Sequence, residues 1–188
     1  HPKFYLGGGS RQAWELSAKH SDVHLFWGDL PEKIAANIAE IREMARAHGR
    51  QHEIGFGMRL QIVCREREAE AWAAAEALIA NTTERDRERV LARTATSEAN
   101  RRVQELAREK GPLIAPSLWS GLTRVRQGAG IAIVGDPGQC AAVIQRFIDA
   151  GCHSFCLSGY LHDEEAERFG RLVRPLVASA NPGRMSAA

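Results

Sequence analysis

The sequence predicts an α/β fold on a parallel sheet, either about half of a (β/α)8 barrel or a smaller open sheet. Apolar runs of strand length alternate with segments of helical period, which is the pattern of successive βα units. We identify four main strands, whereas a closed barrel needs eight strands and typically about 250 residues. The 188 residues, 44% of them hydrophobic and 26% charged, suffice for one domain with a substantial core.

Three βα units make up the first part of the chain. Pro31 suits the first turn of a helix and Gly49 the residue that ends one. Side chains alternate between the two faces of a strand, so Arg59 and Gln61 should share one face of the third strand. The predicted strands are 4–6, 23–27 and 54–63, and the helices that follow them are 11–20, 31–48 and 68–80.

Residues 81–130 are predicted to form an excursion, a segment that interrupts the alternation of strands and helices. Its first part, 81–110, is helical and mostly polar in pattern, and 111–130 is a Gly- and Pro-rich loop of the kind that often serves as a mobile lid. Asp136 then suits a helix N-cap. The predicted elements that follow are a strand at 131–134, a helix at 137–150, a strand at 153–157, a helix at 163–177 that turns Leu176 inward, and a flexible tail at 179–188.

The composition argues against several classes of function. The formal net charge is +2, and the arginines of 84–110 are interleaved with acidic residues, so a nucleic-acid partner is not expected. No apolar run approaches the ~20 residues that span a membrane. The four cysteines lack metal-ligand spacing, so we expect buried reduced thiols, no metal site and a cytoplasmic protein. The chain opens on His1 and enters a strand at once, as a fragment or processed chain would.

Two segments carry candidate ligand-binding residues. Gly8, Gly9 and Ser10 lie between a strand and a helix, where backbone N–H groups and the Ser10 hydroxyl can bind a phosphate. The alternative is a tight turn in which Ser10 caps the helix. Arg59, in an otherwise apolar strand, is an anion-binding arginine, one half of a structural ion pair, or a strand-end arginine at the surface.

Tyr160 and His162 follow directly after the last strand, where α/β folds keep their chemistry. They can donate hydrogen bonds to a ligand or move protons, or they can be part of a surface loop before a helix. Arg126, in the predicted lid, is either exposed to solvent or closes over an anionic substrate together with Trp119.

The sequence resembles the C-terminal half of a bacterial-luciferase-like flavin monooxygenase. Its nearest resemblance is to the reduced-FMN-dependent alkanesulfonate monooxygenases. No single motif is specific, but their order and spacing together are. The matching stretches are Phe4–Ser10, Phe26–Gly28, Ile54–Leu60, Pro116–Gly121, Val125–Gly130 and Leu157–Ala166.

The resemblance implies a luciferase-like TIM (β/α)8 barrel, of which residues 1–178 are the second half. It implies desulfonation of an alkanesulfonate to aldehyde and sulfite, with O2 and with reduced FMN delivered by a separate NAD(P)H-dependent flavin reductase. Homo-oligomers are common in the family. The implied residues are Gly8, Gly9, Ser10 and Tyr160 for FMN; Arg59, Gln61, Arg126 and Trp119 for substrate; and Arg59, Arg126, Tyr160 and His162 for catalysis.

Three positions depart from the family pattern. Gln61 stands in place of a histidine, Gly9 in place of a serine, and Leu161 in place of a proline. The substrate could therefore be that of a sister branch, such as the sulfone monooxygenases or oxygenases of other organosulfur compounds. The alternative from a different class of function is a half-barrel that is catalytically incomplete.

Overall fold

The computed structural model describes residues 2–94 and 96–183 and has the predicted α/β fold. Its strands are β1 (Tyr5–Gly7), β2 (Val23–Trp27), β3 (Gly55–Cys64), β4 (Leu113–Ala115), β5 (Leu118–Trp119), β6 (Ala132–Gly135) and β7 (Ser154–Ser158). Its helices are α1 (Arg11–His20), α2 (Pro31–Arg46), α3 (Glu68–Ala77), α4 (Glu84–Thr94), α5 (Glu98–Lys110), α6 (Pro137–Asp149), α7 (His162–Arg168) and α8 (Arg174–Ala180).

The parallel strands β1, β2, β3 and β7 form an arc that curls as half of a barrel does. Gly7, the last residue of β1, pairs with Leu25 of β2, which stands beside Gly57 of β3, and the last residues of β2 and β7 stand beside Arg59 and Gln61 of β3. Each strand thus ends two residues further along β3, which is the stagger that barrel closure requires. Because the sheet curls, the hydroxyl of Tyr5 on β1 lies 3.2 Å from that of Ser154 on β7.

The core lies between the convex face of this sheet and its helices. On β3, Phe56, Met58, Leu60 and Ile62 point to the helices and are buried, whereas the alternate residues face the concave side. Apolar stripes of α2 and α6 cover them, as the helical periods of those segments predict. The residues of these stripes are Ile34, Ile38, Ile41 and Ala45 on α2, and Val143, Ile144 and Phe147 on α6.

The excursion forms a flap beyond the end of the arc. β6 pairs with the last four residues of β3, and β5 and then β4 extend this part of the sheet antiparallel. Two short strands therefore replace part of the loop predicted at 111–130, because the open edge of β6 offers hydrogen-bond partners to Leu118 and Trp119.

The last helix differs from the prediction. It is interrupted by a π-helical turn at Phe169–Val173, which ends two residues before Pro175, whose ring cannot follow a regular α-helical turn. The extra residue in that turn shifts the buried face. Leu176, predicted to point inward, is exposed, and Val177 is buried in its place.

α8 continues through Ala180, and residues 184–188 of the predicted tail lie outside the described residues. Within 2–94 and 96–183, no helix combines the length and the apolarity needed to cross a membrane.

A buried histidine links α1 to β2. The His24 side chain is fully buried, and its Nδ1 lies 3.0 Å from the Ser17 hydroxyl, which in turn contacts the hydroxyl of Ser21. Desolvation lowers the pKa of His24 from 6.5 to about 4, and a hydrogen bond with the Gly8 backbone raises it by less. The ring is therefore neutral in the folded protein at pH 5 to 7.

This burial predicts a loss of stability on acidification. Between pH 7 and pH 5 the unfolded chain binds a proton at His24 and the folded chain does not, so the free energy of unfolding should fall by about 2 kcal/mol from this residue alone. Urea unfolding of two variants at both pH values checks this. The free energy of unfolding should fall by about 2 kcal/mol less in His24→Phe than in His48→Phe, which replaces an exposed histidine. Equal drops in both variants would contradict the assignment.

Candidate functional site

The predicted site residues Arg59 and Gln61 lie where the strands of the arc end. Arg59 stands beside the last residue of β2, Trp27, and Gln61 beside the last residue of β7, Ser158. Tyr160 follows two residues after Ser158. The carboxyl ends of the strands therefore bring this part of the predicted site to one mouth of the half-barrel, where barrel enzymes hold their substrates.

Arg126, Tyr160 and His162 form one cluster at this mouth. The Arg126 guanidinium donates a hydrogen bond from Nη1 to the Tyr160 hydroxyl, 3.0 Å away. The rings of Tyr160 and His162 meet edge to face, with their centroids 5.9 Å apart. Tyr160 is 40% exposed and His162, the first residue of α7, is also exposed, so both can reach a ligand.

A buried ion cluster fixes the start of the helix that carries His162. The Glu165 carboxylate, 3% exposed, accepts hydrogen bonds from Arg65 at 2.8 Å and Arg168 at 2.6 Å. Arg65 directly follows β3, so this cluster ties the first turn of α7 to the central strand. Removing one partner of such a buried pair costs about 3–5 kcal/mol.

The segment 125–130, which we call the lid loop, is held at three points in this structure. Arg126 contacts Tyr160, the Gly128 N–H donates to Asn100 Oδ1 at 2.9 Å, and Gln61 Nε2 donates to the Ala129 carbonyl at 3.3 Å. Gly128 has φ +88°, a left-handed conformation that favours glycine. The loop therefore lies closed against β3 and α5.

Two polar atoms of β3 at the mouth are buried without a partner among the described residues. They are the Arg59 Nε donor and the Gln61 Oε1 acceptor. An unpaired buried donor or acceptor costs about 1–3 kcal/mol, and most buried polar groups in proteins are paired. Neither of the two structural alternatives considered for Arg59, an ion pair or a surface position, accounts for its buried Nε.

The loop of Gly8, Gly9 and Ser10 is too closely packed in this structure to admit a phosphate. Ser10 accepts a hydrogen bond from the Ala13 N–H at 3.2 Å and so caps α1, as the structural alternative predicts. Ala99 of α5 lies so close to Gly9 that a Cβ there would be 3.1 Å from the Ala99 backbone. The adjoining cavity measures about 40 Å³, enough for one or two water molecules but not for a phosphate.

The chemistry of this loop nevertheless fits a phosphate. The first N–H groups of a helix have no partner inside the helix, and α1 starts here. Arg102 of α5 lines the same small cavity, with its guanidinium 5.0 Å from the centre of the Trp14 ring. Donors and a cation are thus in place, and α5 would have to shift to admit the ligand.

Trp119 lies two strands from Gln61, with Ala132 of β6 between them in register. It is 4% exposed and packs in a second apolar cluster with Val63, Ala132 and Leu122, where its ring meets Trp72 edge to face. The structure therefore does not bring Trp119 to the Arg126–Tyr160–His162 cluster.

Sequence reasoning missed the concave-face residues that surround Arg59. Trp27 and Cys156 are its in-register neighbours on β2 and β7. Cys156 is exposed, so the prediction of four buried thiols is correct for Cys64, Cys140 and Cys152 and wrong for this one. Strand alternation, which was applied only to β3, would have placed Cys156 on the concave face had it been applied to β7.

A well-defined apolar cavity lies elsewhere. It measures about 490 Å³ and is enclosed by β7, α6 and the α7–α8 segment, on the helix side of the sheet. Its walls are mostly apolar, and among the predicted site residues only His162 reaches it. We place the candidate site at the mouth, because the polar groups converge there.

Comparison of whole structures gives the same fold at low sequence identity. A riboflavin lyase (RcaE) solved with modified FMN and riboflavin has a TM-score of 0.72 and 18% identity, over 98% of this chain and 45% of its own. DmoA from Hyphomicrobium sulfonivorans has a TM-score of 0.73 and 19% identity, over 95% and 42%. The EDTA monooxygenase EmoA from Chelativorans sp. BNC1 has a TM-score of 0.72 and 19% identity, over 96% and 45%.

The chain spans less than half the length of these three proteins. The sequence model of the luciferase-like monooxygenases matches residues 1–154, more than half of the chain. That match and the half-barrel sheet agree with the resemblance drawn from the sequence motifs. The chain belongs to the luciferase-like monooxygenase family.

Proposed function

We propose that the chain is part of a flavin-dependent monooxygenase that converts an alkanesulfonate to an aldehyde and sulfite with reduced FMN and O2. The observation that carries the proposal is the mouth of the half-barrel, where Arg59, Arg126, Tyr160 and His162 lie at or just beyond the carboxyl ends of the strands. Two guanidinium groups at one mouth suit an anionic substrate. Family membership supports the flavin chemistry.

In this proposal reduced FMN supplies the electrons that activate O2, and the residues of the chain bind and orient. Gly8, Gly9, Ser10 and Arg102 would hold the flavin phosphate once α5 shifts from the loop. Arg59 and Arg126 would hold the sulfonate, and the lid loop would exclude water. Tyr160 lies between Arg126 and His162, where it can also contact the flavin and pass a proton through its hydroxyl.

The partners follow from the same proposal. Reduced FMN is consumed in each turnover, so an NAD(P)H-dependent flavin reductase would supply it. A homo-oligomer is expected on the family pattern.

Gln61 favours a second candidate function, an oxygenase of another organosulfur substrate such as a sulfone. Its side chain is a neutral amide, so Arg59 is the one cation that β3 presents to the mouth.

Replacing Ser10 with aspartate should separate phosphate binding from helix capping. Aspartate caps a helix as well as serine does, but its charge should repel the flavin phosphate. We expect Ser10→Asp to weaken FMN binding about 10-fold or more and to leave riboflavin binding and the melting temperature nearly unchanged. Anaerobic titration with each reduced flavin, followed by tryptophan fluorescence, measures this. An equal effect on both flavins would place the phosphate elsewhere.

Two arginines of the same segment provide a matched pair for the lid loop. Arg126 contacts Tyr160, whereas Arg124, two residues earlier, is exposed. With reduced FMN, O2 and 1-propanesulfonate, Arg126→Ala should lower the rate of sulfite release about 100-fold or more, and Arg124→Ala should lower it less than about 3-fold. Similar losses in both variants would argue against a substrate-binding Arg126.

The unaltered chain gives the decisive control in that assay. Flavin binding without sulfite release from any alkanesulfonate would refute the sulfonate assignment for this chain. It would favour the catalytically incomplete half-barrel.

A further inference from the structure

The Gln61 amide has a defined orientation in the structure. Its side chain is 1% exposed, and its Nε2 donates to the Ala129 carbonyl of the lid loop. Rotating the amide by half a turn would set its oxygen against that carbonyl, two acceptors facing each other. The Oε1 atom is therefore the end of the amide that is left for another group.

Oε1 of Gln61 lacks a donor while the lid loop is closed. It is buried, and the structure gives it no partner among residues 2–94 and 96–183. Buried acceptors in proteins are nearly always paired with a protein group, a water or a ligand. The closed lid loop therefore leaves one position at the mouth where a hydrogen-bond donor is missing.

A complementary atom lies two residues away on the same strand face. The Arg59 Nε donor is also buried and unpaired. Residues i and i+2 of a parallel strand are separated by roughly 6.6 Å and point to the same side. A single small molecule can therefore meet both atoms, if it offers an anionic acceptor to Arg59 and a donor to Gln61.

We propose that the substrate of this site is a short sulfonate that also carries a hydrogen-bond donor, such as a hydroxyl group, which donates to Gln61 Oε1. The inference rests on the proposed function and narrows its substrate class. Gln61 then acts as a specificity residue, because it accepts from the substrate and at the same time holds the closed lid loop through Ala129. An unsubstituted alkanesulfonate would leave Oε1 unpaired beneath the closed loop.

Two isosteric sulfonates test the donor. In 2-hydroxyethanesulfonate a hydroxyl group stands where 1-propanesulfonate has a methyl group. Their dissociation constants would be measured by calorimetry on the chain with FMN present, together with the shift of the Gln61 side-chain amide signal in NMR spectra. Gln61→Met removes the acceptor at similar volume. Gln51→Met is the matched control, since Gln51 Oε1 is also buried and unpaired but lies before β3, away from the mouth.

The expected result is a preference of about 10-fold or more for the hydroxyl compound in the wild type and in Gln51→Met. The preference should disappear in Gln61→Met. An amide shift of Gln61 that only the hydroxyl compound causes would support the same contact.

Two outcomes would overturn the inference, and they differ in what they mean for the proposed function. Equal binding of both sulfonates, with Oε1 satisfied by a water molecule, removes the donor requirement and leaves a sulfonate site standing. Binding of neither sulfonate to a chain that still binds FMN removes the inference and the sulfonate assignment together.

Discussion

The alternation of side chains along β3 is the constraint on which the rest of the structure depends. Residues that point outward, from Phe56 to Ile62, fill the core beneath the helices, and those that point inward, such as Arg59 and Gln61, line the concave face. The same strand pairs with β2, β7 and β6. A shift of one residue in its register would bury the guanidinium in the core and expose the apolar residues at the mouth.

Local patterns in the sequence were enough to predict most of the arc and part of the site. The helix and strand at Arg11–His20 and Val23–Trp27 have the predicted bounds, and the shared face of Arg59 and Gln61 follows from a period of two. Contacts between distant segments left no such signal. Ala99 against Gly9, and Gln61 against Ala129, depend on how the excursion folds back, which no local pattern encodes.

The site combines groups held on regular elements with a loop that few hydrogen bonds attach to them. Arg59 and Gln61 stand on the central strand, and the ion cluster around Glu165 holds the first turn of α7. Facing them, the lid loop is attached through three single hydrogen bonds, one of them to the exposed Tyr160. A loop attached in this way has the features expected of a lid, and its movement stays a prediction.

The exposed position of Cys156 makes the concave face chemically addressable. The other three thiols are buried, so a thiol-directed reagent should react at one place, beside Arg59 on the inner surface of the sheet. A spin label or fluorophore attached there would report on whatever comes to cover that surface, whether a ligand or another polypeptide. The chain thus carries a natural attachment point on the concave face of its half-barrel sheet.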